Sequence, residues 1–160
     1  MQITIAKPFG KEHVAAMTLR QDVLGTIIDV KKERKVVTFI ALDDGRVVGT
    51  ASLQLYPCKV ARIRQVAVSP DCRGKRIGQK MIQAIEDHCR NLNYKYVILT
   101  SRVQAVPFYQ KMDYTTHFFT FADKNENRSV NLIWMKKVLQ PLCEPMCEPI
   151  MEEQQYPEFD

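Results

Sequence analysis

Apolar and polar positions divide the chain into a series of short elements. Residues 2–6 alternate as a strand does, and Pro8 and Gly10 close it. In residues 11–24, Val14, Met17 and Leu24 fall roughly on one face, which predicts a helix ending at Gly25. Residues 26–34 have no clear period. Ile27 and Ile28 are apolar, whereas Lys31, Lys32, Glu33 and Arg34 read as a solvated charge cluster on a loop and helical turn. Residues 36–42 and 46–56 read as two strands. Asp43-Asp44-Gly45 joins them as a hairpin, because Gly supplies positive φ after Asp. Residues 62–69 carry Ile63, Val66 and Val68 and suit a strand, which Pro70-Asp71 ends.

Beyond that turn, Ile77, Met81, Ile85, His88, Cys89 and Leu92 recur at three- and four-residue spacing, one face of a helix. Residues 94–100 are nearly continuously apolar, as expected of a strand buried on both faces. Residues 103–112 read as a short helix; Pro107 lies inside it, tolerable only if it falls in the first turn. Residues 114–121 and 128–138 read as strands joined by a polar hairpin loop at 123–127. The order is a mixed α/β domain, an antiparallel run followed by a β-α-β unit.

The junction of strand and helix at residues 73–78 carries the clearest chemistry. Arg73-Gly74-Lys75-Arg76-Ile77-Gly78 is short, basic and glycine-bearing. A loop of this kind opening a helix leaves backbone N–H groups unpaired, and with the helix dipole they form an anion site. Phosphate or pyrophosphate is the anion expected; a basic turn that binds nothing would look the same from these residues alone.

This loop resembles the acetyl-CoA signature of the GNAT acetyltransferase superfamily, Arg/Gln-x-x-Gly-x-Gly/Ala. Arg73 takes the first position and Gly78 the last, and Arg76 stands where the middle glycine usually sits. Val66-Ala67-Val68-Ser69-Pro70 is the family's usual approach to the loop. A second segment about 30 residues later, Ala105 to Tyr114 with Phe108-Tyr109 and Lys111, is similar to the family's A-x-x-F-Y-x-K-x-G-F/Y, with Asp113 replacing glycine. The resemblance covers residues 1–138. It implies a mostly antiparallel sheet of about seven strands, splayed in the middle and flanked by helices on both faces.

Composition narrows the rest. The 160 residues suit one domain, and 46% hydrophobic with 26% charged residues is ordinary for a soluble globular protein. No run approaches the roughly 18 apolar residues of a membrane span. The start lacks a signal-peptide core, and the five cysteines are odd in number and unevenly spaced, so reduced thiols in a cytoplasm are expected. The first 137 residues hold all 23 Lys and Arg and 12 of the 18 acids, a net of +11; the remainder holds six acids, a net of −6. A +11 body suits a polyanion such as CoA. It would also suit nucleic acid, but the cations are scattered without an aromatic-interleaved motif, so that is not expected as a main role. Residues 139–160, with four prolines and no basic residue, read as an extended or disordered tail. Cys143 and Cys147 have no second cysteine pair beside them, so no metal site is expected.

The resemblance implies an N-acetyltransferase moving an acetyl group from acetyl-CoA to a primary amine in a ternary complex; a homodimer is compatible with it. Arg73, Gly74, Lys75, Arg76, Ile77, Gly78 and Gln79 would hold the pyrophosphate. Main chain at Val66, Ala67 and Val68 would pair with pantetheine, where the strand parts from residues 98–101. Tyr109 would protonate the departing thiolate, a neutral phenol being able to donate to it. Read without the family, Phe108 and Tyr109 are an aromatic pair packing a short helix. No base is evident: Arg62, Arg64 and Gln65 occupy the central strand where relatives carry an acid, His88 reads as packed, and His117 is a lone histidine. A non-catalytic acyl-CoA-binding module on the same scaffold is the alternative function. The acceptor, whether small amine, polyamine, antibiotic, peptide N-terminus or lysine, is not chosen by the residues.

Overall fold

The computed structural model describes residues 1–117 and 132–140. The second half of the expected 114–121 strand, the 123–127 loop and the tail from residue 141 lie outside the described residues. In chain order the elements are β1 (Gln2–Ile5), α1 (Lys11–Leu24), α2 (Val30–Glu33), β2 (Val37–Asp43), β3 (Arg46–Tyr56), β4 (Val60–Val68), α3 (Ile77–Asn91), β5 (Tyr96–Arg102), α4 (Val106–Gln110), β6 (Thr115–His117) and β7 (Leu132–Val138). The seven strands form one sheet in the order β1-β2-β3-β4-β5-β7-β6. Only β4 and β5 among these pairs run parallel. This is the mostly antiparallel seven-stranded sheet that the family resemblance implied.

Each face of the sheet has its own core. On one face α3 buries Ile77, Met81, Ile82, Ile85 and Cys89 against Phe39, Ala51, Leu53, Ile63, Val97, Leu99 and Met135. Each large aliphatic chain removed from water here contributes about 1.5–3 kcal/mol. Gly49 on β3 lets α3 approach: a Cβ there would lie 2.8 Å from Met81 Sδ and 3.1 Å from Ile77 Cγ2. The carboxylate of Glu86 is also buried in α3 and accepts from Lys137 Nζ at 2.7 Å, fastening the helix to β7. His88 packs its ring edge-on to Phe39, as expected.

The opposite face is covered by α1, which gathers Ala16 with Ala6 and Ile40. Here the helical reading needs correction. Val14 is 50% exposed, and the stripe α1 buries is His13, Ala16 and Arg20. The charge cluster in α2 is likewise not all solvated, since Glu33 is buried. These polar side chains bury one another's charge, which apolar periodicity cannot register. A further difference concerns β5: Val97, Leu99 and Ser101 are buried, while Tyr96, Ile98 and Thr100 are half-buried. α1 packs on β2, β3 and β4, so that face of β5 is left partly open.

The turn at Asp44-Gly45 has positive φ at both residues (47° and 75°), the type I′ geometry whose twist matches a hairpin. At the other end, the packing continues past Val138. Leu139 is buried, its N–H donates to Lys95 O at 2.8 Å, and Arg90 Nε donates to Gln140 O at 2.8 Å.

Candidate active site

The parallel ladder between β4 and β5 is short. Its pairs run from Val60↔Tyr96 to Ile63↔Leu99 and stop there, although β4 continues to Val68 and β5 to Arg102. On its other side β4 stays paired with β3, but the register slips between Ser52↔Arg64 and Thr50↔Ala67. Gln65 and Val66 therefore oppose Ala51 alone, a β-bulge. Gln65 takes φ +52°, a left-handed conformation that costs a non-glycine residue about 1 kcal/mol or more. Bulge and splay coincide, so main-chain groups of residues 64–68 on the β5 side have no ladder partner from β5.

A buried polar network lies against the bulge. Arg20, fully buried, donates from Nη1 to Gln65 Oε1 at 2.5 Å. The same guanidinium grips Glu33 with both nitrogens, at 2.6 and 2.9 Å. His13 Nε2 lies 2.9 Å from Glu33 Oε2, and its Nδ1 accepts from Phe9 N at 2.7 Å. An Nδ1 that accepts places the ring proton on Nε2, facing the carboxylate. Burial pushes the Glu33 pKa up, and the bonds to Arg20 and His13 more than offset it, so the carboxyl sits below its ordinary value.

The turn after β4 is pinned from the side. Arg46 Nη2 donates to Asp71 at 2.8 Å and to Ser69 Oγ at 3.0 Å, and Ser69 Oγ donates to Asp71. The Ser69 hydroxyl and then Arg46 hold the Asp71 pKa down to about 2. The exposed loop Arg73-Gly74-Lys75-Arg76 follows. Gly74 has φ +84°, and Arg76 adopts the left-handed conformation (φ +59°) as the residue capping α3. No side chain caps α3. Its first intrahelical acceptor is Arg76 O, taken by Lys80 N at 3.1 Å. The N–H groups of Ile77, Gly78 and Gln79 precede that first bond and so belong to the unpaired first turn of a 15-residue helix. This arrangement suits a phosphate or pyrophosphate.

Gly78 links this loop to the aromatic segment. A Cβ on Gly78 would meet Phe108 Cζ at 3.6 Å and Val68 Cγ2 at 3.8 Å. The end of β4, the start of α3 and the start of α4 thus converge. Tyr109 is 8% exposed, with its ring edge-on to Phe108 (5.0 Å) and Tyr114 (5.8 Å). Burial pushes its phenol up to about 12, so it stays protonated in any physiological buffer. Pro107 falls in the first turn of α4, where its missing N–H costs nothing. Asp113 closes α4 with φ +69° while Tyr114 N donates to Tyr109 O at 3.1 Å, a left-handed cap. Asp113 and Arg76 thus both take glycine-like backbone.

On the face not covered by α3, Arg62 and Arg64 stand two residues apart beside the splay. The Arg62 guanidinium lies 4.7 Å over Trp134, Lys136 lies 4.3 Å over Tyr96, and Arg64 donates to Gln54 at 3.2 Å. The half-covered face is therefore cationic and aromatic.

The acetyltransferase (GNAT) family model matches residues 7–114. The chain belongs to the GNAT acetyltransferase family. It is similar to glucosamine 6-phosphate N-acetyltransferase of Trypanosoma brucei brucei, 32% identical over 102 residues that cover 59% of this chain and 69% of that protein. It is 33% identical over 73 residues to the enzyme of the same name from Arabidopsis thaliana, covering 42% of this chain and 49% of that one, about half its length. A solved aminoglycoside 6'-N-acetyltransferase complexed with coenzyme A shares the fold, with a TM-score of 0.74 over 90% of this chain and 100% of that one, at 14% identity. The protein is an acetyl-CoA-dependent N-acetyltransferase.

For this GNAT chain, the sequence singled out the loop, the strand before it and Tyr109; loop and strand meet at the end of β4 beside Phe108, and Tyr109 packs between Phe108 and Tyr114. It missed Gln65, Arg20, Glu33 and His13 as a unit. His13, Ala16 and Arg20 do share helical spacing, and that polar stripe was the available signal. His88 lies against Phe39, away from this convergence.

Proposed function

We propose that this acetyltransferase moves the acetyl group directly from acetyl-CoA to the primary amine of a small anionic acceptor, with a hexosamine phosphate the first to test. The observation that carries the reading is a parted strand ending beside an uncapped helix and three exposed cations, with a buried neutral phenol packed on Phe108, which touches that junction. Bound acetyl-CoA supplies the acetyl thioester. Arg73, Lys75 and Arg76, with the main chain of Gly74, Ile77, Gly78 and Gln79, would hold its pyrophosphate. The open edge at Val66, Ala67 and Val68 would pair with the pantetheine amides, and the Val66 N–H would donate toward the thioester carbonyl oxygen. Tyr109 donates its proton at the sulfur. No side chain is assigned as base; the amine enters neutral and, as the amide forms, yields one proton to water, which returns a proton to Tyr109.

Two observations support an anionic acceptor. Curated relatives are named for a phosphorylated amino sugar. The half-open face bears Arg62, Arg64 and Lys136, which would repel a polycationic amine and draw an anion. The test is CoA release against a panel of amines. Glucosamine 6-phosphate is expected to exceed glucosamine and spermidine in kcat/KM. Release no faster than hydrolysis without amine, for every compound, overturns the reading.

A further inference from the structure

Three features outside the expected chemistry invite a role: the buried Arg20–Glu33–His13 network, the cationic face at Arg62, and the buried Glu86–Lys137 pair. Glu86, itself buried, fastens α3 to β7, and the cationic face is already used in the acceptor reading. The network is different because its last member, Gln65, is the strained residue of the bulge.

We propose that Arg20 is a positioning residue for acetyl transfer, holding Gln65 in its left-handed conformation so that the next peptide presents the Val66 N–H on the open side of β4. The argument starts from strain. A glutamine does not adopt φ +52° without something to hold it. Arg20 Nη1 supplies the hold through Gln65 Oε1 at 2.5 Å. Arg20 itself has little freedom: it is fully buried, and Glu33 takes both its terminal nitrogens. Glu33 is steadied by His13, whose ring is fixed by Phe9 N. A line of hydrogen bonds thus runs from His13 in the first turn of α1, through Glu33 in α2, back to Arg20 in α1, and on to Gln65, 45 positions beyond Arg20. Rotation of the Gln65–Val66 peptide would turn the Val66 N–H, and a donor must be aimed at developing charge to stabilise it. The arrangement matters for turnover and much less for holding a pyrophosphate on the 73–78 loop. The inference rests on the acetyltransferase reading and on the donor role of Val66.

The test is Gln65→Met, which keeps the length of the side chain and removes its acceptor oxygen. Arg20 keeps both bonds to Glu33, but one of its buried N–H groups loses an acceptor, so the protein is expected to fold with a somewhat lower melting temperature. kcat should fall tenfold or more while the dissociation constant of acetyl-CoA changes less than twofold. The order parameter of the Val66 N–H, read by 15N relaxation without acceptor, should fall from the rigid range of about 0.85 to below about 0.6. Gln65→Glu, which restores an oxygen for Arg20, should return kcat to within about threefold of wild type and the order parameter to the rigid range. If Gln65→Met fails to fold, Arg20→Met with Glu33→Gln removes the tether from the other side and should give the same loss of kcat and of order at Val66. Wild-type kcat and order in Gln65→Met overturn the proposal, as does a Gln65→Glu variant no better than Gln65→Met. Failure of both variants to fold also overturns it, marking the bond as a core staple. The relaxation measurement needs no turnover: if it behaves as expected while no amine is acetylated, the acceptor reading has failed and the positioning has not.

Discussion

Gly49 lies directly beneath Met81: a Cβ on Gly49 would come 2.8 Å from the Met81 sulfur. The contact sets how closely α3 sits on the sheet, and α3 carries the anion loop at its start. Gly49→Ala is expected to cost about 1–3 kcal/mol, with Met81 swinging aside to absorb part of it. Gly49→Val should cost more, because Ile77 and Ala41 stand at 3.1 and 3.4 Å. Urea unfolding measures both. In a Met81→Ala background, Gly49→Ala should cost much less than alone, since the two share one contact.

Arg73→Glu is expected to weaken acetyl-CoA binding by about tenfold or more by calorimetry, through reversed charge at the start of α3. Its melting temperature should stay near wild type, because Arg73 is exposed. Unchanged affinity would detach the 73–78 loop from CoA binding.

Tyr109→Phe keeps the ring and its contacts to Phe108 and Tyr114 and removes the hydroxyl. Turnover should fall by about 10²-fold, with acetyl-CoA binding and melting little changed. Because burial raises the phenol to about 12, wild type should show no loss of activity from Tyr109 ionisation below about pH 11. An alkaline fall near pH 10 that vanishes in Tyr109→Phe would contradict the neutral-acid role.

Glu33→Gln leaves Arg20 buried opposite a neutral amide. A cost of about 3 kcal/mol at pH 7 is expected, the scale for breaking a buried pair from one side. The Glu33 carboxyl titrates below its ordinary value in the folded protein. Its contribution is therefore complete above about pH 4.5, the ordinary value, and is lost as pH falls through the folded one. The difference between wild type and Glu33→Gln in urea should narrow as pH falls below about 4.5; a constant difference would argue against this ionisation.

A chain ending at Gln140 keeps Leu139 in its buried place and should melt cooperatively near wild type. Ending at Val138 removes that burial and the bond to Lys95, and should cost about 2 kcal/mol. Thermal melts of the two truncations check whether the domain closes just past residue 138.

What could be read from the sequence was local. Arg46–Tyr56 as a strand, Asp44-Gly45 as its turn, the α3 stripe of Ile77, Met81, Ile85 and Cys89, and the uncapped basic loop before it each depend on a few neighbouring residues. Side-chain period, backbone freedom of glycine and the helix dipole act over that range. The motifs of the loop and of Phe108-Tyr109 added the family, hence the splayed sheet. Tertiary structure alone decided which polar residues are inside. Glu33 reads as part of a solvated cluster, and nothing marks Arg20 or His13 as interior, until α1, α2 and β4 meet, because a charge can leave water only where its partner waits, and the pairs here are 13, 20 and 45 residues apart. The same holds for Gln65, whose left-handed backbone no propensity favours, and for the open face of β5, set by how far α1 reaches. Short-range preferences are written along the chain, whereas desolvation and strain are settled by groups that only folding brings together.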